Sequence, residues 1–130
     1  MLFRSKNKNS FIKILKDFSF EKEMLETSKL FKECSLSKNK VIFLGNGGSA
    51  SIASHVSVDL TKNAKIRSVN FNEADLITCF ANDFGHQNWM KEALRMYYDN
   101  DDIVVIISSS GKSKNIVNRS EEHTSELQSH

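Results

Sequence analysis

Two continuously apolar runs, at 41–44 and 103–107, are the strongest feature of the hydrophobic pattern along this chain. Unbroken runs of this length that are rich in valine and isoleucine are typical of parallel strands covered on both faces. A shorter apolar stretch at 66–71 predicts one more strand. Because segments with helical periodicity alternate with these runs, the sequence predicts an α/β fold with a doubly wound parallel sheet.

The predicted helices are segments whose apolar residues recur every three or four positions and so share one face. Asn72 is the predicted N-cap of one of them, with Glu73 and Asp75 in its first turn, and this helix is expected to end at a turn formed by 82–85. The predicted helical segments are two within 1–37, one at 50–60, one at 72–81 and one at 89–97.

The composition fits a single domain, since the chain has 130 residues of which 39% are hydrophobic. A net charge of +2, spread along the chain, indicates neither a nucleic-acid nor a membrane partner. No apolar run reaches membrane-spanning length, so a cytoplasmic protein is expected. Cys34 and Cys79 lie in apolar helical contexts without metal-ligand spacing, and they are predicted to be buried, reduced thiols.

The last twelve residues, 119–130, break the helical pattern that begins at 115–117. They are similar to the translation of a common sequencing adapter, and a chance match over eleven positions is negligible. We therefore expect 119–130 to be non-native, and 1–118 to be a domain that is incomplete at its C-terminal end. His123 and His130 are accordingly set aside as candidates for chemistry.

A glycine-rich loop, Gly45-Asn46-Gly47-Gly48-Ser49, connects the first long apolar run to the next helix. Its glycines can adopt positive φ and bring backbone N–H groups close to a ligand, and the N-terminus of the following helix favours negative charge. The spacing matches neither the dinucleotide fingerprint nor the Walker loop. On its own, this loop is equally well explained as a tight strand-to-helix connection.

A serine-rich loop, Ser108-Ser109-Ser110-Gly111-Lys112-Ser113, follows the second long apolar run. Its hydroxyl and amide groups suit a phosphate monoester, and Lys112 and Lys114 add positive charge. A serine-rich helix cap is the alternative, although four hydroxyls in six residues exceed what a cap requires. Because both loops follow the carboxyl ends of parallel strands, they predict one phosphate site at that edge of the sheet.

Four stretches of the chain, in the same order, resemble the sugar isomerase (SIS) domain family and, within it, the phosphoheptose isomerase group. The stretches are 45–50, 55–59, Ala81-Asn82-Asp83-Phe84-Gly85 and 108–113. The resemblance implies the SIS fold, a sugar phosphate substrate such as heptose 7-phosphate, and a homotetramer in the cytoplasm. It implies no organic cofactor.

The resemblance also implies which residues bind the substrate. The serines of the second loop hold the phosphate, two residues of the glycine-rich loop contact the sugar, and Asp83 lines the same site. The substrate-binding residues implied in this way are Asn46, Gly47, Gly48, Ser49, Asp83, Ser108, Ser109, Ser110 and Ser113.

His55 and Asp59 are four residues apart and share one helix face just beyond the glycine-rich loop. Without the resemblance, this pair is best explained as a solvated, hydrogen-bonded surface. The resemblance places Asp59 where the family has a catalytic glutamate, and it places both residues where some members bind zinc. The implied reaction is an aldose–ketose isomerisation through an enediol, with Asp59 as one acid–base residue.

Two departures from the family pattern bear on activity. The side chain of Asp59 is one methylene shorter than glutamate, and a position error of about 1 Å can cost about a hundredfold in rate. The family's second acid–base residue is a histidine near the C-terminus, and His86, which follows the turn at 82–85, is no obvious substitute. The chain is therefore expected to be an inactive fragment of a phosphoheptose isomerase. The alternative is a non-catalytic SIS-domain regulator that binds sugar phosphates or proteins.

Overall fold

Strands and helices alternate along the part of the chain that the computed structural model describes, residues 20–117. A short helical turn at 114–117 follows the last strand and the serine-rich loop. The helix predicted around Phe11–Phe18 and the segment 119–130 lie outside the described residues. The elements are α1 (Glu21–Leu36), β1 (Val41–Gly45), α2 (Gly48–Lys62), β2 (Ser68–Asn70), α3 (Ala74–Phe84), α4 (Trp89–Tyr97) and β3 (Ile103–Ile107).

The chain divides into two compact units, residues 1–30 and 31–130. In the first unit, the described residues belong mainly to the start of α1, where the Thr27 hydroxyl donates to the Glu23 carbonyl oxygen at 2.7 Å. The second unit contains the sheet and helices α2 to α4. No helix within residues 20–117 is long and apolar enough to cross a membrane.

The sheet of the second unit has three parallel strands in the order β2-β1-β3. In the central pair, Val41 lies opposite Ile103 and Gly45 lies opposite Ile107, so the two strands end at the same level. This arrangement confirms the predicted parallel α/β sheet. It also places the glycine-rich and serine-rich loops side by side at the carboxyl edge.

Strand β1 is buried along its whole length because the sheet is covered on both faces. Ile42 and Leu44 point to one face and pack with four buried residues of α4, Trp89, Met90, Ala93 and Leu94. Val41 and Phe43 point to the other face, as alternation along a strand requires. There they pack with Cys34 at the end of α1 and Ala53 in α2.

The predicted boundaries of α3 are wrong at both ends. The N-cap is Glu73, whose backbone is extended, and not Asn72. The Asn72 amide instead donates to the Ala50 carbonyl oxygen at 2.7 Å and to the Ser54 hydroxyl at 2.8 Å, so it ties the end of β2 to α2. The expected turn at 82–85 is helical as far as Phe84, and the helix ends only at Gly85, where φ is +82°.

Two smaller expectations also differ from the structure. The strand predicted at 66–71 is restricted to Ser68–Asn70. Cys34 is buried as predicted, and burial raises the pKa of its thiol above the ordinary value. Cys79 is exposed, so its predicted burial is wrong. It lies on α3, a helix that packs on the core through Leu76, Ile77 and Phe80.

A buried ion pair joins the amino ends of β1 and β3. The Asp102 side chain is fully buried and accepts hydrogen bonds from the backbone N–H groups of Lys40 and Asp99, both at 2.9 Å. The Lys40 ammonium lies 2.5 Å from Asp102 and 2.7 Å from the exposed carboxylate of Asp99. Burial alone would raise the pKa of Asp102, but the hydrogen bonds from Lys40 and Asp99 outweigh it and hold this pKa below its ordinary value.

Candidate functional site

A cavity of about 720 Å³ opens where the two predicted loops meet. Three parts of the chain form its walls: the glycine-rich loop after β1, the turn between α3 and α4, and the start of the helical turn at 114–117. The lining residues are Asn46, Gly47, Gly85, His86, Gln87, Ser113, Lys114 and Asn115.

Two side-chain amides connect the glycine-rich loop to the helical turn at 114–117. The Asn46 amide donates to the Asn115 carbonyl oxygen at 2.9 Å, and the Asn115 amide donates back to Asn46 at the same distance. Asn115 is buried, whereas Asn46 is half-buried. Each amide keeps a further N–H and a further lone pair that this pairing does not use, and at Asn46 these are available to a ligand.

The glycine-rich loop turns the chain sharply from β1 into α2. Gly47 has a φ of +54° and a ψ of −120°, a backbone conformation that side chains disfavour, and it is the N-cap of the helix. Gly45 is buried against the first turn of α2, and a Cβ there would lie 2.6 Å from the backbone of Ser49. Gly47 lines the cavity, whereas Gly48 and Ser49 do not.

The serine-rich loop folds on its own hydroxyl groups. Ser108 accepts a hydrogen bond from the Gly111 N–H at 3.0 Å, and Ser110 accepts one from the Lys112 N–H at 3.3 Å. Of the four serines, only Ser113 lines the cavity. Its carbonyl oxygen accepts from the N–H groups of Ile116 and Val117 at 2.9 and 3.0 Å, which starts the helical turn. Ser109 is exposed.

His55 and Asp59 lie together on α2 but not in the lining of the cavity. Their side chains are 80% and 51% exposed, and Nε2 of His55 is 3.3 Å from a carboxylate oxygen of Asp59. A zinc site needs three or four ligands. Within residues 20–117, no group of three or more candidate metal ligands occurs. Zinc binding by His55 and Asp59 stays a prediction.

Asp83 occupies the last turn of α3, two residues before Gly85, and is outside the lining of the cavity. Its carboxylate accepts a hydrogen bond from the Asn82 amide at 3.0 Å and lies 3.9 Å from the Cys79 sulfur. The structure therefore brings Asn46, Gly47 and Ser113 to one cavity and leaves the remaining predicted site residues outside its lining.

Sequence reasoning missed several residues that form the cavity. Gly85, His86 and Gln87 come from the turn between α3 and α4, and Asn115 comes from the final helical turn. Two helices, α3 and α4, connect β2 to β3, and their packing places the turn between them at the carboxyl edge of the sheet. Hydrophobic periodicity does not determine this packing. The signal available in the sequence was Gly85, since a glycine after an apolar helix marks a change of chain direction.

The cavity lining favours an anion. None of its eight residues is acidic, whereas Lys114 carries a positive charge and His86 gains one on protonation. Backbone and amide groups of Asn46, Gly47 and Asn115 supply further hydrogen-bond donors. A concave site with these groups suits a phosphate ester joined to a polyhydroxylated body.

The fold and the two loops identify the class of protein. The chain belongs to the SIS domain family, whose sequence profile matches residues 8–126. The match includes both loops and the turn between α3 and α4. It ends within 119–130, and the assignment of that segment to a sequencing adapter stays a prediction.

The relatives with similar sequences are phosphoheptose isomerases. The chain is 33% identical over 123 residues to the enzyme of Buchnera aphidicola subsp. Acyrthosiphon pisum, and 29% identical over 118 residues to that of Coxiella burnetii. These alignments cover 88% and 86% of this chain. The chain spans only 64% and 57% of the length of these two relatives.

Solved structures of phosphoheptose isomerases share this fold. The structure from Francisella tularensis matches with a TM-score of 0.77, covering 95% of this chain and 71% of that one. The structure from Neisseria gonorrhoeae matches with a TM-score of 0.73, covering 82% of this chain and 58% of that one. Both are 24% identical to this chain, and the likeness confirms the predicted fold.

Proposed function

We propose that the cavity binds a sugar phosphate, and that the protein interconverts sedoheptulose 7-phosphate and a heptose 7-phosphate. The observation that carries this proposal is the pair Asn46 and Asn115, which joins the glycine-rich loop to the helical turn after the serine-rich loop, beside a cavity lined by no acidic residue. The names of the relatives support the substrate. In this proposal, Ser113 and Lys114 contact the phosphate, and Asn46 contacts the sugar.

The chemical step moves a proton between neighbouring carbons and another between their oxygens, which requires acid–base residues beside the substrate. We assign Asp59 as one of them, and Nε2 of His55 lies 3.3 Å from its carboxylate. Ile52 and Val58 flank the pair on α2 and are 53% and 59% exposed. An exposed apolar surface of this kind suits contact with another subunit, so the proposal includes a homotetramer in which α2 faces a neighbouring copy.

A protein that binds the sugar phosphate without isomerising it is the second candidate. The observation that favours it is the position of Asp59, which is exposed and does not line the cavity. Turnover of sedoheptulose 7-phosphate by the purified protein, above a buffer control, would favour the enzyme. Saturable binding of this sugar phosphate without turnover, measured on a chain extended to the full length of the relatives and carrying the C-terminal histidine that the family implies, would favour the regulator.

Replacing Ser113 by alanine is expected to weaken the binding of sedoheptulose 7-phosphate by about ten- to a hundredfold. A hydrogen bond to a charged group contributes about 1.5–3 kcal/mol, and the variant loses one such donor. Isothermal titration calorimetry measures the change. Ser37→Ala is the matched control, because Ser37 precedes β1 and lies outside the cavity lining. Equal affinity in the parent and Ser113→Ala would remove Ser113 from the site.

Replacing Ser110 by alanine is expected to affect stability more than binding. Its hydroxyl accepts the Lys112 N–H at 3.3 Å in an exposed loop, and the loss of a capping hydroxyl of this kind costs about 0.5–1 kcal/mol. Thermal unfolding measures the change in stability, and isothermal titration calorimetry measures the change in affinity for sedoheptulose 7-phosphate. A tenfold loss of affinity with an unchanged melting temperature would show instead that Ser110 contacts the phosphate.

A further inference from the structure

His86 lies in the wall of the cavity together with residues of the glycine-rich and serine-rich loops, in a position that no sequence motif indicates. Gly85, with a φ of +82°, ends α3 and redirects the chain, and both His86 and Gln87 then line the cavity. Within residues 20–117, the His86 imidazole has no hydrogen bond or ion pair, so its ring nitrogens remain available to a ligand.

The charged groups to be considered with His86 come from four parts of the chain: the final helical turn, the serine-rich loop, α3 and α4. Lys114, at the start of the final helical turn, is the other cationic side chain in the lining, and Lys112 lies in the adjoining serine-rich loop. Asp83, in the last turn of α3, is engaged by the Asn82 amide. In the first turn of α4 are Lys91 and Glu92, the latter 3.1 Å from Arg95 in an ion pair. Protonation of His86 would therefore add to a lining whose existing charge is positive, and a bound dianion would compensate both cations.

We propose that His86 is a pH-dependent ligand for the phosphate group, donating a hydrogen bond to it as an imidazolium alongside the Lys114 ammonium. This inference rests on the proposed function, since it concerns the same cavity. Histidine is the side chain whose charge changes between pH 5 and 8, so a phosphate-binding site built in this way binds more tightly as the pH falls. The cavity thus couples proton uptake to binding of the sugar phosphate.

The proposal can be tested by measuring either anion binding or proton binding, because the two are thermodynamically linked. If protonation of His86 strengthens anion binding by a given factor, a bound anion strengthens proton binding by the same factor. The titration midpoint of the His86 ring protons, followed by NMR, is therefore expected to move to higher pH when the anion is bound. The ring of His55, which lies outside the cavity lining, serves as an internal control in the same spectra.

Inorganic sulfate is the probe of choice for this test, because it stays a dianion between pH 5.5 and 8. A phosphate monoester has its own ionisation near pH 6, which would obscure the effect. In low-salt buffer, the purified protein is expected to bind sulfate about three- to tenfold more tightly at pH 5.5 than at pH 8, an increase suited to a partly exposed charged pair. In His86→Gln, which keeps a polar side chain but does not titrate, this pH dependence is expected to disappear.

Each result bears on the inference separately from the proposed function. Sulfate binding that is equal at both pH values, with an unmoved His86 midpoint, overturns the role of His86 and leaves the sugar phosphate site standing if Ser113→Ala still weakens binding. A pH dependence that persists in His86→Gln also overturns it. If sulfate does not bind at either pH, the inference fails, and binding of sedoheptulose 7-phosphate then decides the proposed function alone.

Discussion

Replacing Asp102 by alanine is expected to lower the free energy of unfolding by about 3–5 kcal/mol, because the substitution leaves the Lys40 ammonium in a largely buried position without its closest partner. The side chain of Asp102 is fully buried, and that of Lys40 is only 11% exposed. The backbone N–H groups of Lys40 and Asp99 also lose their acceptor. Chemical denaturation monitored by the fluorescence of Trp89, the one tryptophan in the sequence, measures the loss.

Asp99→Ala is the matched control, since it removes a carboxylate that lies 2.7 Å from the same ammonium. The Asp99 side chain is 75% exposed, so its removal is expected to cost less than about 1 kcal/mol. In the double variant Lys40→Met/Asp102→Asn, neither charge remains, and the loss is expected to be smaller than in Asp102→Ala. Equal losses in Asp99→Ala and Asp102→Ala would show that burial of Asp102 contributes nothing.

Because of the ion pair between Lys40 and Asp102, the free energy of unfolding is expected to depend on pH. The pKa of Asp102 is lower in the folded state than its ordinary value, so its contribution is fully present above the ordinary pKa of an aspartate and is lost as the pH falls through the folded value. Burial lowers the pKa of Lys40, but the hydrogen bonds to Asp102 and Asp99 outweigh it and raise this pKa, so that contribution is lost only as the pH rises through the raised value. The free energy of unfolding of the parent is therefore expected to be greatest between the ordinary pKa of an aspartate and the raised pKa of Lys40. In Asp102→Ala, the decrease in this free energy at acid pH is expected to be smaller than in the parent.

The sheet could be predicted from the sequence because its two long strands carry their own signal. The apolar runs at 41–44 and 103–107 are continuous, and burial of β1 on both faces is what such a run indicates. Strand β2 is short and only partly buried, and its predicted bounds were correspondingly too wide. The position of the two loops followed from the strand ends alone, since parallel strands place their carboxyl ends at one edge.

The interactions that hold the site together could not be predicted in this way. Asn46 and Asn115 are 69 positions apart, and Lys40 and Asp102 are 62 positions apart. Asp102 belongs to an acidic segment, 99–102, that indicates a solvent-exposed turn, and a turn does form there, yet one of its carboxylates is fully buried. Local pattern assigns each residue to an element, whereas these pairs depend on which elements become neighbours.

The role of each glycine in the glycine-rich loop could not be predicted from the sequence either. The sequence suggests one reason, backbone freedom, for all three of its glycines. In the structure, only Gly47 has a positive φ, and Gly45 is required for a different reason, the close approach of α2. A Cβ on Gly48 would meet no atom within 4 Å, so neither reason applies there.

Replacing Gly45 by alanine is accordingly expected to lower the free energy of unfolding by about 3 kcal/mol, at the upper end of the usual cost of overpacking. The added Cβ would lie 2.6 Å from the carbonyl carbon and oxygen of Ser49 and 2.9 Å from the backbone nitrogen of Ala50. These are backbone atoms in the first turn of α2, so no side-chain rotation relieves the contact. The helix must move away from β1, and Asn46 and Gly47, which lie between them, must move with it.

Gly48→Ala provides the matched control, since it makes the same chemical change three residues along the same loop. At a helical position with free space, alanine in place of glycine is expected to leave stability unchanged or to raise it by up to about 1 kcal/mol. Denaturant unfolding compares the two variants, and calorimetry with sedoheptulose 7-phosphate shows whether Gly45→Ala also weakens binding. If the two variants unfold at the same denaturant concentration, the close packing of α2 on Gly45 does not determine the shape of the loop.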